Sequence, residues 1–284
     1  LGERDFSDDR LDAGLRQESY QPEVTEIRAA TSNDITPVAQ SNMTSWKAGL
    51  VYKPLPFASL YVAAGNSFNP SGQGLAYDGS NANAILPPEE SCSYELGTKW
   101  DLFKQRLSLS LAAFRNEKFN ARTDDPSDPS LQILDGNQRV DGVEVGASGS
   151  PFKALNVFAG WTGMDGHYIR SNVVGQEGAL LPNIPKNNWS LWGDLSLPWG
   201  FQVGGGARYS DSRTIDYRWD TTVPGYHVYD ALLAWKHGNT TLRANFYNLA
   251  DEIYYLQPRF WVRGQARSTV LSAEIKFQGD AYAS

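Results

Sequence analysis

Over Arg106–Ala113 the chain alternates: Leu107, Leu109, Leu111 and Ala113 fall on one side, and Ser108, Ser110 and Ala112 on the other. A repeat of two belongs to a β-strand, where successive side chains point to opposite faces. The same pattern recurs along the chain. Trp46, Ala48, Leu50 and Tyr52 oppose Ser45, Lys47, Gly49 and Lys53. Tyr94, Leu96, Thr98, Trp100 and Leu102 oppose Glu95, Gly97, Lys99 and Asp101. Leu242, Ala244 and Phe246 oppose Thr241, Arg243, Asn245 and Tyr247, and Thr269–Phe277 alternates likewise. About twelve strands are predicted, near 9–24, 42–54, 57–67, 91–103, 105–121, 138–150, 154–168, 186–197, 200–213, 226–237, 239–249 and 267–277.

The connections carry more information than the strands. Short turns fall at 54–56, 103–104, 150–153, 198–200 and 237–238. Long polar segments lie between them at 25–41, 68–90, 122–137, 169–185, 214–225 and 250–266. In an antiparallel meander, alternate connections fall at opposite ends, so strict alternation gathers the short turns at one end and the long loops at the other. Outer-membrane barrels show this asymmetry; a soluble sandwich has no reason to enforce it. No apolar run approaches the ~18 residues of a membrane helix. The mean hydropathy of −0.44 would describe a water-soluble chain, but that average is blind to strands that alternate apolar and polar residues.

Two further patterns agree. Tyr52, Phe57, Trp100, Phe103, Phe152, Trp199, Phe201, Trp235 and Phe277 collect at the short-turn end, as an interfacial aromatic girdle does. Opposite the apolar stripe stand Asp12, Arg16, Lys47, Glu95, Lys99, Asp101, Glu144, Asp194, Arg208, Asp230, Arg243, Glu274 and Lys276. Burying so many charges in a sandwich core would cost several kcal/mol apiece unless paired; a watery or plugged lumen keeps them solvated. The expected fold is all-β, an antiparallel transmembrane β-barrel wall. The formal charge of −7 argues against nucleic acid as a partner, and nine Trp, fourteen Tyr and twelve Phe exclude a disordered chain.

Asn245-Phe246-Tyr247-Asn248-Leu249-Ala250-Asp251-Glu252-Ile253-Tyr254-Tyr255 resembles the penultimate-strand motif of one family, the TonB-dependent outer-membrane receptors. Pro88–Lys99 is similar to its strand opening with Glu95, Gly97 and Lys99 facing inward, and Val140–Val145 to its next inward Gly-x-Glu pattern. Pro182–Trp192 followed by Gly204–Tyr209 resembles its late strands, and Phe277 stands where such barrels place a terminal aromatic. The set looks most like receptors for ferric siderophores, particularly of the ferrichrome and ferrioxamine type. Family members carry an N-terminal plug, an energy-coupling box and 22 strands, so the resemblance implies the C-terminal half of a receptor. Residues 1–277 are then a partial barrel and 278–284 a tail.

The chemistry-bearing residues form no catalytic constellation. His167, His227 and His237 fall on different hairpins, and the single Cys92 lacks partners for a disulfide or zinc site. Gly204-Gly205-Gly206 lacks the Lys-Ser/Thr of a phosphate loop; glycines in a barrel strand mark a bend or close approach. Asp124, Asp125 and Asp128 read as a solvated acidic loop, since Pro126 and Pro129 interrupt calcium-loop spacing. The long loops are the expected ligand site. Tyr217, Arg218 and Trp219 form one cluster of aromatic and charged residues, and Tyr254, Tyr255, Arg259 and Trp261 another; Tyr77, Asp78 and Arg122 are weaker candidates. Aromatics provide flat contact area, and Arg provides donors to an anionic or carbonyl-rich iron chelate.

The resemblance therefore implies a non-enzymatic receptor-transporter of the bacterial outer membrane. Its partners are a ferric siderophore, TonB in the intact protein, and the surrounding lipid and lipopolysaccharide. No cofactor is expected, and iron enters only as chelated substrate. A chain without plug or box is expected to be incompetent for energised uptake by itself. The alternatives are a passive porin-like barrel, an outer-membrane hydrolase, or a soluble secreted sugar-binding module.

Overall fold

The computed structural model describes residues 9–20, 41–70, 86–129, 131–257 and 261–277. The strands in chain order are β1 (Arg10–Tyr20), β2 (Ser41–Leu55), β3 (Ala58–Asn69), β4 (Glu89–Leu102), β5 (Leu107–Asp124), β6 (Gln132–Phe152), β7 (Leu155–Arg170), β8 (Asn187–Ser196), β9 (Phe201–Ser210), β10 (Arg213–Asp216), β11 (Trp219–Val223), β12 (Tyr226–His237), β13 (Thr240–Tyr247), β14 (Tyr255–Gln257), β15 (Val262–Arg263) and β16 (Ser268–Ile275). Twelve of them form one sheet in the order β1-β2-β3-β4-β5-β6-β7-β8-β9-β12-β13-β16, with every neighbouring pair antiparallel. The remaining four form two small hairpins, β10–β11 and β14–β15, inside long connections. Among the described residues, β1 and β16 are the free edges of the large sheet.

The twelve predicted strands each have a counterpart in this sheet. The segment 122–137, expected as a loop, instead carries β5 on to Asp124 and begins β6 at Gln132. A β-bulge explains the difference. The ladder shifts between Lys118 and Ala121, and Asn120 takes a left-handed φ of 52°. The extra residue breaks the period-two pattern while pairing continues at Ala121↔Gly136 and Arg122↔Leu134. Likewise 214–225 and 250–266 each carry a hairpin too short for periodicity to mark.

Register assigns the two faces. Leu11, Leu50, Val62, Leu96, Ala113 and Val143 run side by side across six strands. Val203, Leu233, Ala244 and Leu271 continue the same face across the last four. Inside the sheet these apolar side chains stay exposed: Leu50, Val62 and Leu233 are about half exposed and Leu96 is 63% exposed. That is unfavourable in water and is what hydrocarbon requires. Aromatics bound the stripe. Tyr94 and Trp100 lie six residues apart on β4, Tyr209 and Phe201 eight apart on β9, and Tyr229 and Trp235 six apart on β12. At ~3.3 Å per residue this spans ~20–26 Å, close to the ~25 Å apolar band of outer-membrane barrels. Charged residues begin at the upper row. Arg115 sits beside Tyr94 and makes a bidentate pair with Asp141, at 2.6 and 3.1 Å.

The opposite face carries the predicted charges, including Asp12 and Glu95, which lie in one cross-strand row on either side of Gly49 and Ala63. The Glu95-x-Gly97-x-Lys99 pattern has a local cause. The Tyr61 ring of β3 lies flat over Gly97, where an added Cβ would fall 2.5 Å from its Cζ. Its hydroxyl donates to Glu95, and the Lys99 ammonium stands 5.4 Å from its centroid. Three successive inward positions thus seat one aromatic ring. At Gly206 a Cβ would come 2.6 Å from the Trp192 ring, which accounts for one member of the triple-glycine run as a close approach.

Candidate ligand-binding site

The long connections lie beyond the upper aromatic row, and there the lumen face forms the site. Ser93 and Asn116 share one cross-strand row, and Ser91, Lys118, Gln138 and Tyr168 share the next one up. The connection after β7 turns back over this wall. The Leu181 amide donates to the Gly166 carbonyl at 2.9 Å, and the Met164 amide to the Lys186 carbonyl at 2.9 Å. Leu181 and Ile184 therefore roof a cavity of about 610 Å³ whose floor is the polar wall.

One buried carboxylate organises the wall above the bulge. Glu89 is 7% exposed. It accepts from the Arg122 backbone amide at 3.0 Å and from Asn69 Nδ2 at 3.0 Å, and it pairs with Lys118 Nζ at 3.5 Å. Burial pushes the carboxyl up, but the Arg122 amide, Asn69 and Lys118 together outweigh it and hold it below the ordinary carboxylate value. Tyr168 is held above its ordinary value, first by burial and then by the nearby Asp216 and Tyr217.

Tyr217 forms the turn of β10–β11 and meets Tyr168, a lining residue of the cavity, edge-on at 6.0 Å. Arg218 lies 5.3 Å above the Tyr217 ring, and its Nε stands 3.4 Å from Asp216. In the second cluster, Tyr255 and Trp261 meet perpendicularly at 5.1 Å. Tyr254 has a different environment. It is 4% exposed, tilts against Tyr226 at 4.6 Å, and its hydroxyl accepts from Arg208 at 3.1 Å. Its geometry makes it a packing residue that holds the loop base. Arg122 contributes its amide to Glu89, while its Nε is buried without a hydrogen-bond partner. Tyr77, Asp78 and Arg259 lie outside the described residues, as does the side chain of Trp219.

The two clusters are tied by Arg213, which sequence reasoning missed. It is 6% exposed and donates to Asn183 Oδ1 at 3.2 Å, to the Leu256 carbonyl at 3.1 Å, and to the Tyr255 carbonyl. Three connections thus share one guanidinium, which also stands 5.8 Å from the Tyr226 ring. The base of the last loop is closed by Asn248, a fully buried residue at φ 51°. Its Nδ2 donates to the Glu252 and Gln265 carbonyls at 2.9 and 3.0 Å, and its Oδ1 accepts from the Glu252 amide at 2.9 Å. The Asn-x-x-Asp-Glu segment is therefore a loop brace. The wall residues Asn116, Lys118, Gln138 and Tyr168 were also missed, although their inward parity extends the alternation of β5, β6 and β7 and could have placed them.

Among the described residues, no group of three His, Cys, Asp or Glu side chains is placed to hold a metal ion. Asp125 accepts from the Ser127 amide at 2.7 Å and so caps a turn.

Comparison with known proteins agrees with the fold. The family description "TonB dependent receptor-like, beta-barrel" matches residues 3–249. The probable TonB-dependent siderophore receptor PiuA of Acinetobacter baumannii is 30% identical, over 94% of this chain and 38% of that protein. The crystal structure of the siderophore receptor PiuA from the same species superposes with a TM-score of 0.85 at 29% identity, over 94% of this chain and 40% of that one. The closed form of the ferric-catecholate import receptor Fiu of Escherichia coli K12 gives 0.78 at 27% identity, over 95% and 43%. The chain therefore spans about two fifths of the length of these relatives. One of these relatives is a siderophore receptor and the other a ferric-catecholate import receptor.

Proposed function

This chain belongs to the TonB-dependent receptor β-barrel family, and from that premise we propose that its wall and loops form the outer-facing ligand funnel of a ferric-siderophore transporter energised by TonB. The observation that carries the reading is the arrangement at the loop end. A roofed cavity with serine, amide and lysine side chains along its floor opens on the lumen face, with Tyr217 against its lining residue Tyr168 and Arg218 over the Tyr217 ring. Tyr255 and Trp261 stand in the neighbouring braced loop, joined in sequence by Arg259, Trp219, Tyr77, Asp78 and Arg122 as ligand-facing candidates. Such a site binds by contact area and hydrogen bonding and makes no bonds, so the protein is a non-enzymatic receptor without a resident cofactor, and the iron is cargo. The relatives named above are receptors; a porin, a hydrolase and a soluble sugar-binding module find no support among them.

The outer face supports a second set of contacts. Arg115 and Arg139, both near Asp141, lie at and above the upper aromatic row, where lipopolysaccharide phosphates meet a barrel. The apolar stripe below faces lipid. The test is radio-iron uptake in cells whose own siderophore receptors are deleted. Expression of the receptor should restore uptake of a ferric siderophore, and deletion of TonB should abolish it. Uptake that persists without TonB, or conductance with no siderophore binding, would point to a passive pore instead.

A further inference from the structure

We propose that the wall cavity under Leu181 and Ile184 is a chelate subsite in which Lys118 reads the negative charge of the iron complex. This rests on the receptor reading above and adds to it the ligand class: an oxygen-rich anionic chelate, in preference to a neutral one.

The cavity has the size of a small-molecule site, about 610 Å³ against the ~300–1,000 Å³ usual for ligand pockets. Ser91, Ser93, Asn116 and Gln138 offer it neutral hydroxyl and amide groups, suited to a ligand covered in oxygen atoms. Two charged residues occur along its lining, Glu117 and Lys118. Glu117 pairs in the row of Cys92 and Arg139, on the opposite face of the sheet, and accepts from Asn137 at 3.2 Å. Lys118 lies in the row of Ser91 and Gln138, on the cavity face. The formal charge presented to the ligand is therefore the ammonium.

Glu89 offsets one positive charge, but two cations act on it: Lys118 Nζ stands 3.5 Å away, and the Arg122 guanidinium also helps hold its carboxyl below the ordinary value, so the group keeps a net positive charge. An ammonium has three donors, and the Lys118 side chain keeps 33% of its surface exposed. Glu89 thus fixes the direction of a flexible side chain and leaves donors for the cavity. Preorganisation of this kind lowers the ordering cost of binding. Tyr168, on the same row, carries the contact to Tyr217 and so joins the subsite to the loop cluster.

The test uses the receptor in outer-membrane vesicles, with heat-shifted gel mobility as the folding control. Binding is read by tryptophan quenching for two probes: a ferric tris-catecholate of net negative charge and an uncharged ferric tris-hydroxamate. Lys118→Gln should weaken the catecholate complex about tenfold or more and leave the hydroxamate complex within about twofold. Lys118→Arg, which keeps the charge, should restore most of the loss and serves as the reference should the Gln variant fold poorly. Equal weakening of both probes, or no weakening of either, overturns the assignment of charge recognition while wild-type binding leaves the receptor reading intact. Wild-type protein that binds the hydroxamate alone overturns the ligand class. Wild-type protein that binds neither probe removes the receptor reading, and this proposal with it.

Discussion

Gly97→Ala is a one-carbon test of the inward Glu-Gly-Lys pattern. The new Cβ would lie 2.5 Å from the Cζ and hydroxyl oxygen of Tyr61 and 2.6 Å from its Cε1. Ordinary contact begins near 3.4 Å, so the ring must lift by about 0.9 Å. Lifting it takes the hydroxyl away from Glu95 and the ring face away from Lys99. A hydrogen bond to a charged acceptor contributes ~1.5–3 kcal/mol and an exposed cation–π contact ~0.5–1, whereas replacing glycine in a strand returns ~0.5–1, so the net loss is about 1–3.5 kcal/mol. The assay is urea unfolding from lipid vesicles, followed by tryptophan fluorescence. A double-mutant cycle supplies the sharper reading, because the sign reverses. In a Tyr61→Ala background the obstacle is gone, and Gly97→Ala should stabilise by ~0.5–1 kcal/mol. If Gly97→Ala costs the same with and without the Tyr61 ring, the glycine is not there to seat the tyrosine, and the explanation fails.

Two other expectations concern the loop end. Asn248→Ala leaves the Glu252 and Gln265 carbonyls and the Glu252 amide without their partner. With water able to reach part of the loop, the local cost is about 2–4 kcal/mol. The loop 249–267 should become protease-sensitive while heat-shifted gel mobility stays unchanged; an unchanged cleavage pattern would contradict the brace. Glu89 carries a pH dependence. Its folded carboxyl is held below the ordinary value, so the stabilisation is fully present above the ordinary pKa of ~4.3 and is lost as pH falls through the folded value. Hydrogen exchange at the Arg122 amide, followed from about pH 6 to about pH 3 and corrected for intrinsic rates, should show protection falling in acid. Glu89→Gln should flatten that response, and a wild-type profile without a fall would refute the role.

Much of this architecture was legible in the chain because β-barrel walls write themselves locally. Side chains alternate with a period of two, lipid accepts one parity and the lumen the other, and short and long connections segregate by end. Those rules read Leu107 to Ala113 as a strand and placed Glu95, Gly97 and Lys99 together on the inner face. They failed where one residue breaks the count. The bulge at Asn120 concealed the tops of β5 and β6, 122–124 and 132–137, and with them the Arg122 amide that meets Glu89. The resemblance marked Asn248 through Tyr255 but gave them no physical role. Loop clusters picked by composition had mixed outcomes: Tyr217 meets Tyr168, a lining residue of the cavity, whereas Tyr254 is committed to packing against Tyr226 and Arg208.

By itself, then, the sequence determined what depends on neighbours along the strand: strand number, which face each side chain takes, and which end carries the loops. Tertiary structure alone decided what depends on register and on loops meeting one another. The Tyr61 ring over Gly97 joins residues 36 positions apart, and Arg213 gathers Asn183, Tyr255 and Leu256 from two other connections. Lys118 meets Glu89 across a ladder that sets which residues stand side by side. Alternation fixes direction but not distance, and binding chemistry depends on distance.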